Sequence, residues 1–156
     1  MINDEIRDRV EKLLREGFFS QERVVGLRVG SPIAVIDPTG RQHSWFVPLE
    51  IGSKLAGFAQ LLPSLEPLAF SRFQQRSPDY DDCPDVEDWT NRARVLELAS
   101  TLARQDERLS EPVLTFDHNP SRLAWSVEAK SQSGAKRTLF VAGKAVYEGT
   151  GAGGLV

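Results

Sequence analysis

Apolar residues recur at Ile6, Val10, Leu13 and Leu14, the spacing of one helical face, while Arg7, Asp8, Glu11, Lys12 and Arg15 charge the other side. Asn3 is placed to cap this helix, Asp4 and Glu5 sit near its positive end, and Gly17 stops it. So narrow a stripe predicts a helix laid on a sheet, with Phe18 and Phe19 plugging its end into the core. From Arg23 the period shortens. The runs 24–29 and 33–36 read as short strands separated by Gly30, Ser31 and Pro32. Asp37-Pro38-Thr39-Gly40 has the residues of a type I turn. Trp45, Val47, Leu49 and Ile51 then alternate with Ser44, Phe46, Pro48 and Glu50, the pattern of a strand with one buried face, and Pro48 marks an edge or a bulge. Gly52 and Ser53 turn the chain into 54–62, and 68–73 offers one more strand.

A polar, proline-containing stretch follows and reads as a linker over 76–83. Asp85 then caps a second helix, with Glu87 and Asp88 in its first turn and Val86, Trp89, Ala93, Leu96, Ala99 and Leu102 on one side. It is predicted to run to about Arg108. Strands follow at 112–116, 123–130, 136–141 and 146–147, and the glycine-rich 150–156 reads as a fraying tail.

The two halves repeat each other at an offset of 80 residues. Pro32, Asp37, Trp45 and Val47 recur as Pro112, Asp117, Trp125 and Val127, and Ile33, Ala34 and Ile36 keep apolar character at Val113, Leu114 and Phe116. The expected fold is therefore α+β: two repeats, 1–75 and 84–149, each with one helix packed on a curled antiparallel sheet. One continuous sheet carrying both helices is the alternative. Repeats of roughly 70–80 residues lie near the lower limit for a self-sufficient core, so the two are expected to pack together.

Composition narrows the function classes. A net charge of -3, with Lys and Arg scattered among Asp and Glu, lacks the electrostatic footprint of a nucleic-acid binder. The lone Cys83 excludes an internal disulfide and any cysteine-cluster zinc site. No apolar run approaches the ~20 residues that span a bilayer, and the charged start is unlike a signal core. A cytoplasmic setting without membrane contact is the expectation, unless a signal was trimmed from the chain.

No motif carries a reaction. Gly149, Gly151 and Gly154 match G-x-G-x-x-G but no helix follows to hold a pyrophosphate, and Ser133 and Lys136 match S-x-x-K inside a hairpin turn. Asp79, Asp81, Asp82 and Asp85 lack the glycine and distal glutamate of a calcium loop and read as a solvated linker and helix cap. Asp117, His118 and Ser121 are neighbours in one turn, whereas triads converge across a fold. Cys83 has no activating neighbour in sequence and reads as inert. Trp45 and Trp125 read as core. No cofactor, metal or catalytic residue is therefore assigned.

The segment Arg122-Leu-Ala-Trp-Ser-Val-Glu-Ala-Lys130, a Ser-Gly turn, and Arg137-Thr-Leu-Phe-Val-Ala-Gly-Lys-Ala-Val-Tyr-Glu-Gly149 together resemble PepSY domains, the peptidase-propeptide type. Ser44-Trp-Phe-Val-Pro-Leu-Glu50 and Gly57-Phe-Ala-Gln-Leu61 are similar in layout. The resemblance implies a cystatin-like arrangement of helix on sheet, in tandem, and a domain that binds or inhibits a partner, often a peptidase. The expected function is thus a non-catalytic, peptidase-inhibitor-like or regulatory module that takes a protein, an extended peptide or a second copy of itself. Contact is expected through a sheet edge or strand face, since Pro32, Pro48 and Pro112 blunt some edges and leave others open. If the tryptophans point inward, alternation places Phe46, Phe58 and Phe140 off the core face as candidate contacts. The alternative is a small cone-shaped α+β hydrolase or isomerase in which His43 or His118 meets a carboxylate.

Overall fold

The computed structural model describes residues 2–17, 27–73 and 82–149, which form an α+β protein with two five-stranded antiparallel sheets. Phe18, Phe19, the beginning of the 24–29 run, most of the 76–83 linker and the 150–156 tail lie outside the described residues. The chain divides into two compact units, Met1–Val35 with Arg41–Val86, and Ile36–Gly40 with Glu87–Val156. The turn after Ile36 thus belongs with the second unit. No helix among the described residues is long and apolar enough to cross a membrane.

In the first unit, α1 (Ile2–Arg15) buries Ile6, Val10 and Leu13, the stripe the sequence predicts. These pack on Val29, Val47, Leu49, Ala59 and Leu61 of a sheet ordered β1 (Arg28–Val29), β3 (Gln42–Ile51), β4 (Lys54–Leu61), β5 (Pro67–Arg72), with β2 (Ile33–Ile36) also paired to β3. Pro48 is not on an edge strand: β3 has β1 and β2 on one side and β4 on the other. It is tolerated because its carbonyl accepts from Gly30 N (2.8 Å), so its donor-less nitrogen faces the side where two-residue β1 has just ended. The expected irregularity follows one residue on, as a register shift between Leu49 and Glu50.

Strand β3 is also buried on both faces, not one. Ser44 and Phe46 are 0% and 1% exposed, and Gln60 Nε2 donates to Ser44 Oγ (3.2 Å) on that second face.

In the second unit the predicted continuous helix is two short ones, α2 (Val86–Thr90) and α3 (Arg92–Ser100). Asn91 sits between them in an extended conformation, its side chain accepting from Arg94 N (3.2 Å), which caps a new helix and resets the helical phase. Val95 and Ala99 consequently face inward, while Ala93 is exposed and Leu102 is 41% exposed. The helix ends eight residues before Arg108, where the Ser100 and Thr101 hydroxyls donate to the carbonyls of Glu97 and Leu98, and Arg108 instead opens a strand.

The second sheet is ordered β6 (Arg108–Leu109), β8 (Leu123–Lys130), β9 (Lys136–Ala142), β10 (Ala145–Glu148), with β7 (Val113–Phe116) also paired to β8. Strands β6 and β7 begin 80 residues after β1 and β2. The central hairpins share register too, Trp45 opposite Leu61 and Trp125 opposite Val141. Helix α3 packs on β8 and β9 over Trp125, which is 0% exposed and donates from its indole nitrogen to the Trp89 carbonyl (2.9 Å). Trp45 is half-buried against the α1 cluster.

Arg137 on β9 ties the loop after α3 to this sheet. Its guanidinium donates to both carboxylate oxygens of Glu107 (2.7 and 2.8 Å) and to the Leu102 carbonyl (2.7 Å). The Arg137 hydrogen bonds, then the bond from Arg104 N, lower the Glu107 pKa from 4.5 to about 2. Between those values the unfolded chain binds the extra proton. The contribution of Glu107 to stability is thus complete above about pH 4.5 and is lost as pH falls through about 2. Urea midpoints measured down this range should fall more steeply in the wild type than in Glu107→Gln.

Candidate functional site

Register places Val113, Ser126, Phe140 and Tyr147 opposite one another across four strands, so they form one line on a single face of the second sheet. It is the face opposite Trp125. Phe140 and Tyr147 stack along this line, ring centroids 5.5 Å apart. A flat sheet would hold β7 and β10 about 14 Å apart, three strand spacings. Nevertheless the Tyr147 hydroxyl donates to Oδ2 of Asp117, the residue after β7, at 2.9 Å. Tyrosine and aspartate side chains cannot bridge the flat distance, so the sheet curls toward this face and makes it concave.

The concavity is an open groove of about 470 Å³, a size typical of ligand sites. Val113 (39% exposed), Phe116 and Phe140 supply apolar wall, and Ile36 and Pro38 supply more from the turn segment of the same unit. That turn has the geometry its sequence predicts: Gly40 N donates to the Asp37 carbonyl (2.9 Å), and the Asp37 carboxylate accepts from Thr39 N (2.9 Å). Thr115, Ser126 and Thr138 contribute to the lining, with Asp37, Asp117 and His118.

Asp117 is 6% exposed and organises one end. Besides the Tyr147 hydroxyl, its carboxylate has His118 Nε2 at 3.4 Å and Arg122 Nη2 at 3.4 Å. Burial first, and the bond to Asp117 second, push the Tyr147 hydroxyl pKa up, so tyrosine stays a proton donor to a carboxylate. His118 stands at φ +63 in the tight turn between β7 and β8, where Asn119 N donates to the Asp117 carbonyl (2.7 Å) and Ser121 Oγ donates to Asn119 Oδ1 (2.9 Å). Ser121 is therefore turned to Asn119, and Asp117, His118 and Ser121 do not converge on one point.

The structure separates the three candidate phenylalanines. Phe140 lines the groove. Phe46 is a correction: at 1% exposed it is core, because the second face of β3 is buried as well, and it stacks on half-buried Phe58 at 4.9 Å. Phe58 in turn lies 6.0 Å from Phe73, a packed aromatic layer in the first unit. His43 is half-buried on β3 with Nδ1 3.0 Å from Ser44 Oγ. Tyr147 was missed by sequence reasoning. Alternation with Phe140 across a predicted hairpin was the available signal.

Other motifs resolve separately. Asp85 pairs with Lys54 (2.7 Å), and among the described residues no group of three or more His, Cys, Asp or Glu could hold a metal ion. Ser133 Oγ lies 2.8 Å from Ser131 Oγ while Lys136 Nζ lies 3.5 Å from Glu128, so the S-x-x-K residues have different partners. Cys83 is buried, and burial raises its thiol pKa, which disfavours the reactive thiolate. Comparison with known protein families, with curated proteins and with solved structures returned no match.

Proposed function

We propose that the protein is a non-catalytic binding module, built from two cystatin-like, PepSY-like repeats, that seats an extended protein or peptide segment in the groove on the second sheet. The groove itself carries this reading. It is open, mostly apolar, and lined by Val113, Ser126 and Phe140, in register on three neighbouring strands, which suits an extended segment laid across them. Its buried carboxylate already has Tyr147, Arg122 and His118 as partners, an arrangement that holds the wall in place. The common strand order, the 80-residue spacing of strand starts and the common hairpin register support the tandem-repeat description.

A second reading rests on His118, whose Nε2 lies 3.4 Å from the Asp117 carboxylate at the groove wall: a small hydrolase or isomerase using that pair. Against it, the His118 side chain is 57% exposed, open to water rather than enclosed in a water-excluded site.

Panning a random peptide library against the folded protein tests the proposal. Enriched peptides should bind the wild type and lose binding to Val113→Glu and Thr138→Arg, which place charge and bulk in the groove. Enrichment of no sequence, or binding indifferent to both variants, would defeat it.

A further inference from the structure

At the end of the second sheet away from Asp117, three cations stand in one row. Register sets Arg108 of β6 opposite Lys130 of β8, and Lys130 opposite Lys136 of β9. Directly opposed residues share a face, and Lys130 follows Glu128 and Ser126 at alternate positions of β8, so the row is on the groove face. All three residues are exposed. Opposed Cβ atoms lie about 4.5–5.5 Å apart, and like charges so placed destabilise a sheet.

Nothing within the sheet balances this row. Among the described residues the Arg108 and Lys130 side chains make no hydrogen bond or ion pair, and Lys136 has only Glu128, at 3.5 Å. Both members of that pair are solvated, a kind of contact that contributes little. Lysine on an edge strand can block unwanted pairing, but β8 is central, with β6 and β9 hydrogen-bonded on either side of Lys130. A row of mixed sign would be more stable, and a local rule broken without structural gain is expected where a surface has a ligand to receive.

The row adjoins the groove. Ser126, in the groove lining, and Lys130 are separated along β8 by roughly 13 Å, and Thr138, also in the lining, stands opposite Glu128 between them. We propose that the extended segment seated in the groove carries aspartate or glutamate about four or five residues beyond its apolar anchor, and that Arg108, Lys130 and Lys136 receive it. This rests on the reading of the groove as a peptide seat. A segment laid obliquely from Val113 on β7 to Lys136 on β9 crosses all three strands and covers that span. Nucleic acid fits less well, since the chain has a net charge of -3 and Glu128 interrupts the cations on the groove side, leaving no stripe to track a phosphate backbone.

The library pool supplies the probes. Peptides that bind the wild type but neither Val113→Glu nor Thr138→Arg should share an aspartate or glutamate beyond their apolar residues. Replacing it by asparagine or glutamine should weaken binding about three- to tenfold, the sum of a few exposed ion pairs. The double variant Arg108→Gln with Lys130→Gln should erase most of that difference and melt no lower than the wild type, because it relieves the opposed like charges. Raising the ionic strength from about 0.1 M to about 1 M, which shortens the screening length from about 10 Å to about 3 Å, should shrink the difference in the same way. Groove-bound peptides without an acid, or with one whose amide binds equally well, would overturn the charge preference and leave the peptide seat standing. Acidic peptides that lose binding to the double variant but not to Val113→Glu would make the row a site of its own and overturn its coupling to the groove. A double variant that melts lower would make the row structural and overturn the proposal. Absence of any peptide blocked by the groove variants would overturn both the preference and the seat.

Discussion

Replacing Trp125 by alanine is expected to cost about 3–5 kcal/mol, the range for emptying a buried aromatic site. Trp125 is the largest fully buried side chain among the described residues, and its loss also removes the donor to the Trp89 carbonyl, the tie between β8 and α2. Small domains have only about 5–15 kcal/mol of stability in total, so urea denaturation should show the second unit close to unfolded. Trp45→Ala, at the equivalent but half-buried position, should shift the midpoint less. Equal shifts would mean that the two sites are packed alike.

Gly30→Ala carries the second largest expected effect, about 1–3 kcal/mol for forcing volume into a filled site. An added Cβ would lie 2.7 Å from Pro48 Cγ and would collide with the Glu50 carboxylate. Neither neighbour can yield cheaply. The Pro48 ring is fixed in β3 beside the Gly30 N–H bond, and Glu50, 7% exposed, is held by Arg28 Nη2 at 2.6 Å. Pushing Glu50 aside would leave a buried carboxylate without its cation. Thermal melts of Gly30→Ala and the double variant Gly30→Ala with Glu50→Ala test this, since the second change should recover part of the loss.

How much of this was legible in the sequence depended on whether local chemistry alone decided the outcome. Strand starts and the 37–40 turn were readable because proline, aspartate and glycine fix backbone geometry within four residues. The α1 stripe was readable because one solvated face leaves a clean period. The break at Asn91 was not, since asparagine serves equally as a polar helix residue and as a cap, and only tertiary packing chooses. Phe46 failed for a different reason: alternation assigns faces, but cannot tell that both faces of β3 are covered. The groove was half legible. Phe140 and the Asp117–His118 turn were singled out, whereas Tyr147 lies 30 residues from the carboxylate it bonds, and only the curl of the sheet brings them together.

The peptide seat on the second sheet is tested most directly by amide chemical-shift mapping of the isotope-labelled protein with a library-enriched peptide. The largest shifts are expected at Val113, Thr115, Ser126, Thr138 and Phe140, with the Asp37 turn moving alongside. Shifts confined to the edge strand β5 or to the outer side of α3, with those residues unmoved, would contradict the account.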